Sequence, residues 1–496
     1  MLLVGLDIGT SSIKASVIDA NTGNLLASAT YPETENSIES DQPGWAEQNP
    51  EMWWECVKNA ILLCNASKKY NPLDIAAIGI AYQMHGLVLV DKNHKVLRPS
   101  IIWCDSRAIA TGEQAAQILG NDVLTNNLLN SPGNFTASKL AWVKNNEPAI
   151  YQNIHKVMLP GDFISMKLTG EISTTNSALS EGIFWDFKTN TISEDVLKVF
   201  DFSISILPEV KSVFSNHGYL TADIAKELGL NQQVSITYKA GDQPNNAFSL
   251  NVLEPGEVAA TAGTSGVVYA VTDQIACDET FRVNTFAHVN HQFQNKNRLG
   301  TLLCVNGTGI LNRWVKNNFV PHLSYQEMND LAELTAVGAN ELFVFPFGNG
   351  AERMLKNKNI GSHFLNLDFN QHSIGHIIRA SQEGIAFSLK YGMDIMAQNG
   401  TNPKVIRAGK ANMFLSPLFT QALVNTTGVA VEMYNTDGAK GAAIGAGMGV
   451  GFYSSYKDAF RNLEIVQTVE PNSQLKDAYQ QVYQEWNNNL ESLLCK

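Results

Sequence analysis

One stretch of this chain occurs twice. Val4–Asp19, VGLDIGTSSIKASVID, overlies Val258–Asp273, VAATAGTSGVVYAVTD, with Val, Gly-Thr-Ser, Val and Asp in matching places. In both copies β-branched residues flank small ones, which predicts a strand, a tight Gly-Thr-Ser turn and a second strand. A hairpin that heads each half of a chain points to a duplicated domain rather than one continuous core. Length agrees, since 496 residues exceed the roughly 250 to 300 that a single core supports. Two large domains are expected.

Such a turn can present consecutive backbone N–H groups and two hydroxyls in a concave nest suited to an anionic phosphate. Taken singly it is only a hairpin turn. Two copies point to a paired phosphate clamp around an interdomain cleft. No GxxxxGK[ST] occurs, so a Walker-type nucleotide site is excluded.

Composition narrows the partners. With 35 Lys plus Arg against 47 Asp plus Glu, the net charge is −12, and a surface of that sign repels nucleic acid. The first residues reach Asp7 without a basic signal-peptide start, and no stretch approaches the roughly 20 apolar residues that span a bilayer. The six cysteines are scattered, with no CxxC pair and no His at zinc spacing. This reads as reduced thiols in a cytoplasmic protein, without nucleic acid or membrane as a partner.

Periodicity predicts a mixed α/β layout in both halves. Strands are expected at 2–6, 13–18 and 74–81, and helices at 51–64, 107–119, 137–145, 371–397, 415–427 and 472–494. Asn49 is expected to cap the first helix, with Pro50 in its first turn. The Gly-rich stretch 438–451 is expected to be a helix packed very closely on its neighbours, and the segment 241–246 a hinge at the cleft.

Six ordered motifs now add a resemblance. LDIGTSSIK, GWAEQNPEMWW, QMHG, IIWCDSR, AGDQ and ATAGTSG occur in the order seen in FGGY carbohydrate kinases, and the chain resembles that family from residue 1 to about 450. Within it, the likeness is greatest to the branch that phosphorylates D-xylulose. The resemblance implies an α/β fold of two ribonuclease-H-like domains of the actin and Hsp70 superfamily, flanking a cleft that binds sugar and MgATP. The domains expected are 1–244 for sugar and the first phosphate loop, 245–465 for nucleotide, and a C-terminal helix over 466–496. Relatives of this kind are often homodimers.

The resemblance also assigns residues. Asp242 matches the family's catalytic base. Read without the resemblance it suits an N-cap ahead of Pro244, and the two roles are compatible, since a carboxylate at a helix start is expected to stay ionised. Asp7 matches the aspartate that orients Mg²⁺. Gly9, Thr10, Ser11 and Lys14 match one phosphate grip, and Gly263, Thr264 and Ser265 the other. By periodicity alone Lys14 is an outward-facing strand residue.

For the sugar, the resemblance points to Gln83, Met84, His85, Gly86, Trp103 and Gln243. A lone His after an apolar strand also reads as a structural residue. Gly86 is expected to let the sugar approach the backbone, Trp103 to offer an apolar face or to be core, and Asp105 to accept a hydroxyl, with Arg107 as its neighbour. Gly309, Gly409 and Asn412 match positions around the nucleotide. There the chain departs from its relatives, carrying Arg407-Ala408-Gly409-Lys410-Ala411-Asn412 where most have a Gly-Gly-Gly-Ala turn.

The expected reaction is ATP-dependent phosphorylation of D-xylulose at O5. Gluconate, ribulose or another polyol as substrate is the first alternative, with Arg107 the nearby candidate cation for a sugar acid. A sugar-binding sensor with a decayed ATP site is the second.

Overall fold

The structure, a computed structural model, describes residues 1–292 and 295–495. Two compact units divide it. The first comprises Met1–Asn251, Phe286–Leu299 and Thr436–Leu463, and the second Val252–Thr285, Gly300–Asn435 and Glu464–Lys496.

The first unit is built on a five-stranded sheet. Leu2–Ile8 pairs antiparallel with Ile13–Asp19 and parallel with Ile75–Tyr82. Leu25–Tyr31 and Ser235–Gly241 form its edges. Ile75–Tyr82, IAAIGIAY, is buried along nearly its whole length, as a parallel strand covered on both faces must be. Asp7 is the one residue of Leu2–Ile8 that is not fully buried.

Small residues bring the Gly438–Gly449 helix down onto this sheet. A Cβ on Gly5 would lie 1.7 Å from the Ala439 carbonyl oxygen, and one on Gly79 2.0 Å from that of Ala442. Strand and helix backbones therefore touch directly. This close packing matches the expectation for the stretch, and it joins 436–463 to the first unit although those residues follow the second in chain order.

The second unit repeats the sheet. Glu257–Ala262 pairs antiparallel with Gly266–Thr272 and parallel with Val405–Gly409, which pairs parallel with Val431–Tyr434. Leu299–Val305 lies beyond Gly266–Thr272, as Leu25–Tyr31 lies beyond Ile13–Asp19. Each sheet thus has strand order 3-2-1-4-5, the second carrying one further strand on each edge, Asn284–Ala287 and Ile465–Val469. The 25-residue helix Ile374–Gln398 runs through the core of the unit.

Helix ends follow their caps. Asn49 accepts a bond from the Glu51 N–H at 3.0 Å, and Pro50 opens the helix Pro50–Ala66. Pro417–Thr427 starts two residues later than expected because the Ser416 hydroxyl caps it. One expectation fails at 241–246. The strand Ser235–Gly241 runs straight into the helix Asp242–Ser249, and Gly241 is packed against Met84 and Glu181. This is a buried junction, not a loop that could hinge.

Candidate active site

Within the first unit, the strand ends bring Asp7 and Asp242 into each other's field. Gly241 is the N-cap of the Asp242–Ser249 helix and Asp242 its first residue, so the N-cap reading of Asp242 is corrected. The expectation that Asp242 stays ionised is also overturned. Burial foremost, and then the charge of Asp7, raise its pKa to about 7; desolvation outweighs the helix dipole. Asp7 is pushed up to about 6 by burial and by Asp437, against the opposing pull of Lys14.

Lys14 is paired, not merely outward-facing: its Nζ lies 2.6 Å from Asp437 Oδ2. Asp437 also caps the Gly438–Gly449 helix by accepting from the Lys440 N–H at 2.9 Å. Sequence reasoning missed Asp437, although Thr-Asp-Gly ahead of a small-residue helix is a cap signal. A buried carboxyl whose charge is opposed by a neighbouring acid suits a divalent cation, and Mg²⁺ takes one or two carboxylates together with water. The residues present therefore fit Mg²⁺.

The first Gly-Thr-Ser turn is tied to the expected sugar residues. The Thr10 hydroxyl donates to Gln83 Oε1 at 3.1 Å and accepts from Trp103 Nε1 at 3.0 Å. Gln83 Nε2 donates in turn to Gln48 Oε1 at 3.3 Å. Gln83 is buried, and both ends of its amide are engaged, which makes it a strut between turn and strand. Gly9 and Ser11 lie in the same turn, with Ser11 exposed. Trp103 is 52% exposed, so it is not a core residue.

Met84 and His85 occupy the turn after Ile75–Tyr82, with Met84 buried against Gly241. His85 has φ +63° and its Nδ1 lies 3.0 Å from the Glu181 carbonyl oxygen. Because a carbonyl only accepts, Nδ1 donates this bond. Phe135 and Phe286 pack on the imidazole at 4.7 and 5.5 Å between ring centroids. Sequence reasoning missed both, since a single Phe carries no positional signal. It also missed Glu181, which is buried beside Gly241; burial foremost, and next the charge of Asp242, push its pKa well above the usual carboxylate range. Gln243 follows Asp242 and is partly buried.

Two expectations about this wall are corrected. A Cβ on Gly86 would meet Pro160 Cγ at 2.6 Å, so the glycine makes room for protein, not for sugar. Asp105 is fully buried and committed, accepting from the Ala46 N–H at 2.6 Å and from Arg107 Nε at 2.9 Å. Arg107 pairs with Asp105 and Glu47 and stacks over Trp45 at 3.8 Å. Neither is presented to a ligand.

In the second unit the other Gly-Thr-Ser turn borders a cavity of about 420 Å³, whose lining includes Gly263, Thr264, Gly309, Asn412, Met413 and Tyr325. Gly309 is seated on the turn, its N–H donating to the Gly263 carbonyl at 2.8 Å. Asn412 has φ +54° and its amide faces Gly263. Ser265 completes the turn but does not line the cavity, and neither does Gly409, which ends the strand Val405–Gly409. Arg407, which opens the stretch that departs from the turn expected in relatives, pairs with Glu257 and Glu432 of the neighbouring strands at 3.1 and 3.0 Å.

The family model for the N-terminal domain of FGGY carbohydrate kinases matches residues 2–249, and that for the C-terminal domain matches 258–450. The chain belongs to the FGGY family of carbohydrate kinases. As an FGGY kinase it is a sugar kinase that uses ATP. A xylulose kinase of Staphylococcus epidermidis is 29% identical over 97% of this chain and 95% of its own. Crystal structures of a ligand-bound xylulose kinase and a gluconate kinase, both from Lactobacillus acidophilus, match with TM-score 0.90 and 21% identity, each over 99% of this chain and 98% of its own. Those two likenesses establish the two-domain fold of an FGGY kinase and do not distinguish the sugar. No described helix is long and apolar enough to cross a membrane.

Proposed function

We propose that this FGGY kinase transfers the γ-phosphoryl group of ATP to O5 of D-xylulose, with Asp242 as general base. The observation that carries the reading is the Asp242 carboxyl, held by burial and by Asp7 at a pKa of about 7. A base of that pKa is half ionised at neutral pH and can take the sugar's proton as the bond to phosphorus forms. Phosphoryl transfer needs little more from the protein than position and charge, because its transition state is loose.

The other roles follow from the residues' places. His85 Nε2 accepts a sugar hydroxyl, Phe135 and Phe286 hold the imidazole, and Trp103 offers a face to the sugar's C–H groups. The cavity beside Gly263 takes the nucleotide, with Gly309 and Asn412 in its wall. Mg²⁺, held by Asp7 largely through its own water shell, would supply positive charge to the phosphates. Lys14, with Gly9 and Ser11, adds a second contact of that sign. None of the six cysteines forms a disulfide, which suits an enzyme of the reducing cytoplasm.

Full-length similarity to a xylulose kinase supports the choice of sugar. Gluconate is disfavoured on a particular observation: Arg107, the cation considered for its carboxylate, has a side chain only 1% exposed and is already shared by two acids. A coupled ADP-release assay with D-xylulose, D-ribulose, gluconate and glycerol tests the reading. The expected result is the highest kcat/KM for D-xylulose. A higher value for gluconate refutes the sugar assignment, and no turnover with any of them alongside normal sugar binding favours the sensor.

A further inference from the structure

Lys139 is fully buried on the helix Thr136–Asn146. Its Nζ donates to the backbone carbonyl of His85 at 3.0 Å and to that of Ile102 at 2.8 Å. These carbonyls belong to two separate segments, one carrying His85 and the other leading directly into Trp103. Among the described residues, no carboxylate comes within ion-pair distance of Lys139. Burying an ammonium costs several kcal/mol, and a methionine would fill the same space without that cost. The charge therefore needs a purpose other than packing.

The backbone supplies one. His85 sits in the left-handed region, which a residue with a Cβ adopts only when its surroundings hold it there. We propose that Lys139 is a positioning residue for the sugar, fixing the spacing between the His85 and Trp103 segments by gripping one carbonyl of each. This rests on the reading that those two side chains face the sugar. One ammonium with two carbonyl acceptors works as a clip: move either segment and one charge-assisted hydrogen bond is lost.

The titratable and charged groups that act on Lys139 are Asp105, Cys104 and Arg107, all on the Trp103 segment. Asp105 is the foremost of those that favour the charge, and Arg107 opposes it; burial outweighs both and lowers the pKa to about 7. The clip therefore weakens as pH rises through neutrality, because a neutral amine donates a weaker hydrogen bond than an ammonium.

Steady-state kinetics with D-xylulose and ATP, on wild type, Lys139→Met and His85→Ala together, test this. Lys139→Met should raise the sugar KM about tenfold, less than the hundredfold that a 1 Å misplacement at a reacting centre can cost, and leave the ATP KM unchanged. In wild type the sugar KM should climb several-fold between about pH 6 and pH 8, and in Lys139→Met it should stay flat. A role in folding alone would lower the active fraction without moving one KM selectively. If His85→Ala raises the sugar KM and Lys139→Met does not, the proposal is overturned while the sugar site stands; if neither does, both fall. Should Lys139→Met fail to fold, Lys139→Gln, which keeps a donor but not the charge, decides, and an unchanged sugar KM in it overturns the clip.

Discussion

Replacing Asp242 by asparagine should make the first unit more stable at alkaline pH while abolishing turnover. The carboxyl is raised from 3.8 to about 7 in the folded chain. As pH climbs, the unfolded chain gives up this proton near 3.8 and the folded chain only near 7, so stability drains away across that interval and none returns above it. At 1.36 kcal/mol per pKa unit, the loss is about 4 kcal/mol at pH 8, or about 2 to 3 kcal/mol after solvent screening of a partly exposed group. The amide of the Asp242→Asn variant has no proton to lose and escapes this penalty. In a unit of this size the gain corresponds to a rise of about 3 to 5 °C in Tm. Differential scanning calorimetry of both proteins at pH 8, with a chelator and without nucleotide, would show it, and the gap should narrow towards pH 4. A variant less stable than wild type at pH 8 would falsify the argument, because it would mean that the carboxylate supports the helix start.

Two further outcomes are expected. At limiting sugar and nucleotide, kcat/KM should fall about tenfold per pH unit below about pH 7 as Asp242 takes up its proton, and saturating magnesium nucleotide should move that limb to lower pH by cancelling the charge of Asp7; rates that stay flat from about pH 6 to 8 contradict a base raised by burial. Gly79→Ala should cost about 3 kcal/mol, since the new methyl meets the Ala442 carbonyl oxygen at 2.0 Å and backbone on both sides cannot yield; an unchanged melting temperature rules out the direct contact between strand and helix.

What could be read from the sequence was what is local. The two hairpins were legible because turn residues and β-branched flanks lie within a few positions of one another, and the first helix because Asn49 and Pro50 mark its start. Asp105 and Arg107 were misjudged for the opposite reason. Adjacent polar residues near a sugar motif look available, and only the fold shows that Glu47, Trp45 and the Ala46 N–H use them up. Gly86 was misread in the same way, because the atoms of Pro160 that it accommodates arrive from more than 70 positions along the chain.

The least legible feature is the one on which the proposed chemistry turns. A helix dipole and an N-terminal carboxylate are both visible in AGDQPNN, and together they argue for an ionised acid. The deciding quantity is burial, set by Met84 and Glu181 packing around Gly241, by Asp7 from the first strand, and, behind Asp7, by Asp437 from a helix more than 400 residues on. A protein that gathers acids here makes its own fold less stable as pH rises, and the Mg²⁺ proposed beside Asp7 would relieve that cost. It follows that Mg²⁺ alone, with neither nucleotide nor sugar, should raise the Tm of wild type at pH 8 and have a smaller effect on Asp242→Asn, where one of the repelling charges is gone. An equal rise in both proteins would separate the cation from these carboxylates.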